Sequence, residues 1–227
     1  MTRPTKDFYV ILLNLGCGTH APANWQNLDR SPSMLLDRIP RVKGGLRLVG
    51  VISPEQASPW PRNIIKADLR AKLPYMDSSV DGIYSSHALE HLYLAEAEGL
   101  LNECFRVLKD GGIIRLALPD ADLLVNLRAA GELTGEAFNL RLGMHPAERP
   151  KGIHKFTALF GGSLHKWQPT RDLTTALLLK TGFTGVSEQE WLTGLLPDLV
   201  SVESRPESFF LEALANHAPQ PNVATPS

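Results

Sequence analysis

A chain of 227 residues, 43% hydrophobic and 21% charged, is long enough for one sizeable core and has an ordinary globular composition, which excludes wholesale disorder and a fibrous repeat. Its 23 basic and 24 acidic side chains nearly cancel, and no apolar run approaches the roughly 20 residues that cross a bilayer, so neither nucleic-acid binding nor membrane insertion is expected. Only two cysteines, Cys17 and Cys104, are present; they form no disulfide framework and fit a reducing compartment, the cytoplasm.

Residues 1–7 are polar and lack a signal-peptide pattern, so a flexible N-terminus is expected before a single domain over 8–215. Phe8–Leu15 is a continuous apolar run ending at Gly16, as a strand buried on both faces of a parallel sheet does. Trp25–Asp29 and Asn63–Ala67 read as the second and third strands, the latter stopping at Asp68. Between them Pro32, Pro40, Pro54, Pro59 and Pro61 preclude one long helix, and Leu46–Ile52 reads as an extra strand. Val80–Ser85 is the fourth strand, followed by a helical pattern over His87–Leu108 with breaks near Tyr93 and Gly99. Leu94, Ala97, Leu101, Phe105 and Leu108 recur there at helical spacing.

Lys109-Asp110-Gly111-Gly112 closes that helix with turn chemistry, and Ile113–Leu118 is the fifth strand. Residues 120–168 interrupt the rhythm and are read as a helical lid and substrate wall. Thr170–Thr181 resumes as an amphipathic helix capped by Gly182; Phe183–Trp191 and Ser208–Ala213 are the last strands. Residues 216–227, with three prolines, are read as a disordered tail. The alternation of strands and helices implies a parallel α/β sheet with right-handed crossovers.

A strand running into Gly16-Cys17-Gly18 leaves a turn without bulky side chains at the carboxyl edge of the sheet, where open α/β folds bind ligands. By itself such a turn is as often a turn with no ligand. His87, Glu90 and His91 stand at i, i+3 and i+4, one face of a helix starting at Ser86. Three readings of them compete: a hydrogen-bonded helix start, a general base, and a set of metal ligands. The same letters spell His-x-x-Glu-His, the inverted zinc-peptidase motif; a glycine loop and an acid-ended strand have no place in that reading.

Four motifs in order are more specific than any one of them: Leu13-Asn14-Leu15-Gly16-Cys17-Gly18; Ala67-Asp68-Leu69 with Leu73-Pro74; Val80-Asp81-Gly82 through Glu90-His91; and Arg106-Val107-Leu108-Lys109-Asp110-Gly111-Gly112. Over residues 8–120 the chain resembles class I S-adenosylmethionine-dependent methyltransferases, in particular the type 11 group and small bacterial relatives. The resemblance implies a Rossmann-like three-layer sandwich around a mostly parallel seven-stranded sheet with an antiparallel last strand. It implies S-adenosylmethionine as cofactor, held by the loop Asn14, Gly16, Cys17 and Gly18, with Gly16 and Gly18 against its methionine and ribose portion. Asp29 would accept from the ribose hydroxyls, Asp68 and Leu69 would read the adenine edge, and Ser86 and His87 would border the methionine end.

Two departures stand out. Asn14 occupies a position that is acidic in many relatives, and Pro22 within the eleven residues from Gly18 to Asp29 leaves the usual first helix short or absent. Glu55 therefore competes with Asp29 for the ribose. A His-Lys-aromatic triplet, here His165-Lys166-Trp167, precedes the last major helix in the bacterial relatives, which places His165 opposite His91. The charged run Glu203, Arg205, Glu207 before the final strand reads as solvated.

The function implied is methyl transfer to a small polar acceptor, a metabolite or sugar-linked precursor, by in-line displacement. His91, His87 and His165 are the catalytic candidates, no residue is assigned to a metal, and a homodimer is left open. The alternatives are a non-catalytic S-adenosylmethionine-binding regulatory module and, less in keeping with the motifs, the zinc peptidase.

Overall fold

Leu12–Leu15 (β1) is buried at every position, and its side chains divide between two cores as successive residues of a strand must. Leu13 and Leu15 join Leu28, Ile83, Ile114, Leu116 and Leu118 on one face of a sheet, while Leu12 joins Trp25, Tyr84, Ala117 and Phe210 on the other. The computed structural model describes residues 10–31, 34, 37, 39–48, 59–143 and 164–217. The expected flexible N-terminus and all of the tail beyond His217 lie outside these residues, as do Phe8, Tyr9 and Glu55.

Seven strands form one sheet: β1, β2 (Gln26–Asp29), β3 (Ile64–Lys66), β4 (Val80–Ser86), β5 (Leu108–Pro119), β6 (Thr184–Gln189) and β7 (Ser208–Ala215). Their order is β3-β2-β1-β4-β5-β7-β6. Pairings among β1 to β5 are parallel, whereas β7 runs antiparallel to both β5 and β6. This is the mostly parallel sheet with an antiparallel last strand that the sequence implies.

The helices are α1 (Pro40–Leu48), α2 (Leu94–Val107), α3 (Ala121–Ala129), α4 (Gly135–Arg141), α5 (Arg171–Thr181) and α6 (Leu199–Val202), with a 3-10 turn at Leu89–His91. α2 and α5 bury Leu100, Leu101, Cys104, Leu177 and Leu178 against the first face. The opposite face carries no long helix among the described residues; Leu196, Leu199 and Val202, from a loop and the single turn α6, cover it instead. A buried charge cluster staples that loop down. Arg115, on β5, pairs with Glu203 and, at 3.1 Å, with Glu212, and donates to the carbonyls of Glu190 and Thr193 at 2.8 and 2.7 Å. The two carboxylates in turn accept from the backbone N–H of Leu192, Leu195 and Leu196. Glu203 is therefore buried rather than solvated, while Arg205 and Glu207 are exposed.

Three local expectations change. Leu46–Leu48 closes helix α1 instead of opening a strand, because Pro40 stands at the first helical position, where its missing N–H costs nothing; residues 49–52 are outside the described set. Helix α2 runs unbroken through Gly99 and begins only at Leu94, where Glu96 accepts from the N–H of Tyr93 at 2.9 Å. Strand β5 starts at Leu108, with residues 109–112 bulging as the partner register jumps from Val80↔Leu108 to Gly82↔Ile113 and Gly111 takes a φ of 73°. The described parts of 120–168 include α3 and α4, capped by Asp120 and Thr134; residues 144–163 lie outside. No helix among the described residues is long and apolar enough to cross a membrane.

Candidate functional site

The strand order reverses between β1 and β4, so their carboxyl ends diverge into a crevice at the topological switch point. The loop after β1 enters it. Gly16 has a φ of 68°, and a Cβ there would stand 2.5 Å from the Cβ of Ala88, with Leu69 Cδ1 at 3.7 Å. Only glycine lets the loop pass this close to the segment after β4. At Gly18, with a φ of 55°, a Cβ would meet nothing within 4 Å. The first glycine serves packing, and the second leaves open space.

No helix lies between Gly18 and β2; two asparagines organise the connection instead. Asn14 and Asn27 are register partners on β1 and β2, and both are buried. The Asn14 amide donates to the carbonyl of His20 and to Asn27 Oδ1, each at 3.0 Å, and the Asn27 amide donates to the carbonyls of Pro22 and Trp25 at 2.9 Å. Carbonyls that a helix would have satisfied internally are thus held by side chains. A carboxylate has no proton to donate, which accounts for an amide rather than an acid at position 14.

Asp29 ends β2 beside this loop, accepting from Gly18 N–H at 2.8 Å and Ser31 N–H at 2.6 Å. Cys17 is buried with its thiol pushed up to about 12 by burial and by the Asp29 charge, so it stays a protonated packing group. Asp68, past β3, is gripped by Arg70 at 2.8 and 2.9 Å and by Arg30, which holds its carboxyl well below the usual range. Leu69 packs on the core next to Gly16. Ser86 closes β4, paired with Ala117.

The histidines do not share a helix face. The backbone turns left-handed at His87, with a φ of 48°, and Glu90 and His91 follow on the separate 3-10 turn. A non-glycine residue rarely adopts this φ, and such outliers concentrate at functional sites. The reason lies in the strand: β4 continues through Ser86, and His87 N–H bonds the Ala117 carbonyl of β5 at 3.0 Å. His87 Nε2 then meets Ser208 Oγ at 2.9 Å, while its Nδ1 stands 3.6 Å from Glu90 Oε1. Burial, reinforced by the charge of Arg205, pushes the His87 imidazole down to about 3, so it is neutral.

Segment 164–168 is fastened to the same turn. Lys166 N–H bonds the Glu90 carbonyl at 2.7 Å and Trp167 Nε1 the Leu89 carbonyl at 3.3 Å. That brings the His165 ring to 5.1 Å from the His91 ring, edge to face, and His165 Nε2 to 3.9 Å from Glu90 Oε1. The close approach needs Gly143, where a Cβ would fall 2.7 Å from His165 Cγ. Glu90 itself is fully buried, neither carboxylate oxygen accepts a hydrogen bond among the described residues, and burial raises its carboxyl to about 7.

Residues 13–116 match the family model described as a methyltransferase domain. Over this stretch the chain is similar to S-adenosylmethionine-dependent methyltransferases. The chain is 36% identical over 61 residues to a probable S-adenosylmethionine-dependent methyltransferase of Mycolicibacterium smegmatis, a match that takes in 27% of this chain and 23% of that protein. The chain thus spans under a quarter of that relative's length. Among solved structures, an S-adenosylmethionine-dependent methyltransferase from Archaeoglobus fulgidus shares the fold, with a TM-score of 0.52 at 16% identity over 90% of this chain and 86% of that one. A putative S-adenosylmethionine-dependent methyltransferase from Listeria monocytogenes is similar at a TM-score of 0.49 and 16% identity, over 92% of this chain and 91% of that one.

The crevice is distinct from an open groove of about 630 Å³ lined by Lys72, Pro74, Met76, Asp77 and Arg106. The groove borders the entry to β4, at the opposite edge of the sheet. Sequence reasoning missed two features of the site: the paired role of Asn27, signalled by a poor strand former inside a strand, and the central position of Glu90, which the His-x-x-Glu-His letters had contained all along. The zinc-peptidase reading fails here, since its two histidines must lie on one helix and His87 lies on none, between β4 and the 3-10 turn that carries His91.

Proposed function

We propose that the chain transfers a methyl group from S-adenosylmethionine to a small polar acceptor by in-line displacement. The observation that carries the reading is the open space at Gly18 in the crevice, next to the Asp29 carboxylate. When bound, the cofactor supplies a methyl group made electrophilic by its sulfonium. Gly16 and Gly18 would line its methionine and ribose portion, and Asp29, an acceptor with two oxygens, suits a pair of ribose hydroxyls. Asp68 and Leu69 would border the adenine, with Asn14 and Cys17 shaping the loop from behind. Ser86 and His87 would close the methionine end.

The acceptor side is then the wall of His87, His91 and His165. Positioning and exclusion of water supply much of the rate in such a displacement, and a proton leaving the acceptor would be taken up at this wall. His87 is a poor base, because burial and the charge of Arg205 hold it neutral far below physiological pH. Titration calorimetry with S-adenosylhomocysteine tests the reading: one equivalent should bind, and saturation at about 100 times Kd should stabilise the fold by ~2.7 kcal/mol. No heat and no shift in melting temperature for well-folded protein would sink it. Binding without turnover on any small hydroxyl or amine acceptor would favour the regulatory module.

A further inference from the structure

Glu90 presents an unusual problem. Its carboxylate is fully buried, and among the described residues neither oxygen accepts a hydrogen bond. Buried carboxylates are ordinarily satisfied by donors, by a cationic partner or by a metal. The backbone around it is well used: its own carbonyl accepts from Lys166 N–H at 2.7 Å. The side chain is therefore not stranded by local disorder; two ordered segments have been fastened together around it.

What surrounds it is a donor set. One ligand atom each from Glu90, His91 and His165 lies within 4.8 Å of the other two. His165 Nε2 is 3.9 Å from Glu90 Oε1. Two donors bound to one ion at ~2.0–2.2 Å stand at most about 4.4 Å apart, so this pair already has the spacing of shared ligands, and the third lies within 4.8 Å of both. His87 stands outside the trio, with Nδ1 3.6 Å from the same Glu90 oxygen and Nε2 held by Ser208.

We propose that Glu90, His91 and His165 bind a divalent first-row transition-metal ion. Two imidazoles and one carboxylate suit Zn²⁺, Mn²⁺ or Fe²⁺ rather than the all-oxygen coordination of Ca²⁺ or Mg²⁺. The ion would neutralise the buried carboxylate and join the turn after β4 to segment 164–168. Three protein ligands leave at least one position open to water or to an oxygen of a bound molecule. Metal binding here stands independently of the methyl-transfer reading. An imidazole nitrogen on an ion cannot also accept a proton, so the same titration decides which use His91 and His165 have.

The test uses the full chain, stripped with a chelator and dialysed, then titrated with Zn²⁺ by calorimetry and with Co²⁺ while its visible d–d absorption is followed. Wild type should take up one equivalent of each, and Co²⁺ should show the bands of a low-symmetry nitrogen and oxygen site. Glu90→Gln and His165→Ala should each weaken Zn²⁺ binding at least tenfold, and His217→Ala, a histidine far from the trio, should not. Zn²⁺ should also raise the melting temperature of wild type but not of His165→Ala, which keeps the test open if Glu90→Gln misfolds. Absence of Zn²⁺ and Co²⁺ uptake by wild type, or equal uptake by His165→Ala, overturns the proposal.

Discussion

At Gly16 and Gly18 the same residue type answers to different demands, and substitution separates them. Gly16→Ala places a Cβ 2.5 Å from Ala88 Cβ at a positive φ, which should cost about 1–3 kcal/mol and weaken S-adenosylhomocysteine binding as the loop moves. Gly18→Ala meets no neighbour, so only the left-handed backbone is penalised, by about 1–2 kcal/mol. Urea unfolding of both variants, beside calorimetry, checks the order. Asn14→Asp makes a sharper prediction. Its carboxylate would face the His20 carbonyl and Asn27 Oδ1, two acceptors that now receive the Asn14 amide. A loss of about 1–3 kcal/mol is expected at pH 7, shrinking in acid as the new carboxyl gains a proton; equal stability of variant and wild type at pH 7 would refute the amide's role.

At the scale of elements, helix α2 is tied to the chain before β4 through Arg106, which pairs with Glu103 and with Asp77, and through several backbone partners. Glu103 accepts from Arg106 at 2.7 and 2.9 Å and from Leu73 N–H at 2.8 Å, and Arg106 also donates to the Tyr75 carbonyl at 3.0 Å. Arg106 holds the Glu103 carboxyl below the ordinary glutamate range. A depressed carboxyl contributes stability that is present above its unfolded value and lost as pH falls through its folded value. Glu103→Gln should therefore be less stable than wild type by about 1–2 kcal/mol at pH 7, with the gap closing on acidification below about pH 4. Denaturant midpoints at neutral and acid pH measure it, and a gap independent of pH would count against the linkage. The breaks expected near Tyr93 and Gly99 show how such tertiary ties limit sequence reading. Tyr93 begins the helix through Glu96, a signal the letters carried, whereas Gly99 is absorbed because its helix is anchored at both ends.

Over the whole molecule the two faces of the sheet are covered unequally. α2 and α5 protect one face by apolar packing, and a loop held by Arg115, Glu203 and Glu212 protects much of the other. Arg115→Met should destabilise by about 3–5 kcal/mol, because it leaves two buried carboxylates without their cation. Adding Glu203→Gln and Glu212→Gln should recover part of that loss, a comparison that equilibrium unfolding makes directly. A single variant as stable as wild type would mean that the loop is held by its leucines alone. A second anchor, Arg171, pairs with Asp120, Asp122 and Glu188 and so joins α3, α5 and β6.

The strand sequence, the glycine loop, the acids after β2 and β3 and the helix closed by Gly182 were legible from the letters, because each rests on local rules: apolar runs, backbone freedom and caps. The absence of a first helix was legible for the same reason, from Pro22 and eleven residues of chain. Tertiary structure decided the rest. Nothing local tells that Asn27 faces Asn14, that Glu203 is buried on Arg115, or that segment 164–168 closes over Glu90. Those contacts join residues up to 88 positions apart, and their partners are chosen by sheet order and register rather than by sequence spacing. The histidine cluster shows both sides: its members stood out as residue types and the resemblance set His165 opposite His91, but a left-handed turn at His87 broke the helix face that spacing implied, and only the folded chain brought the buried Glu90 carboxylate between them.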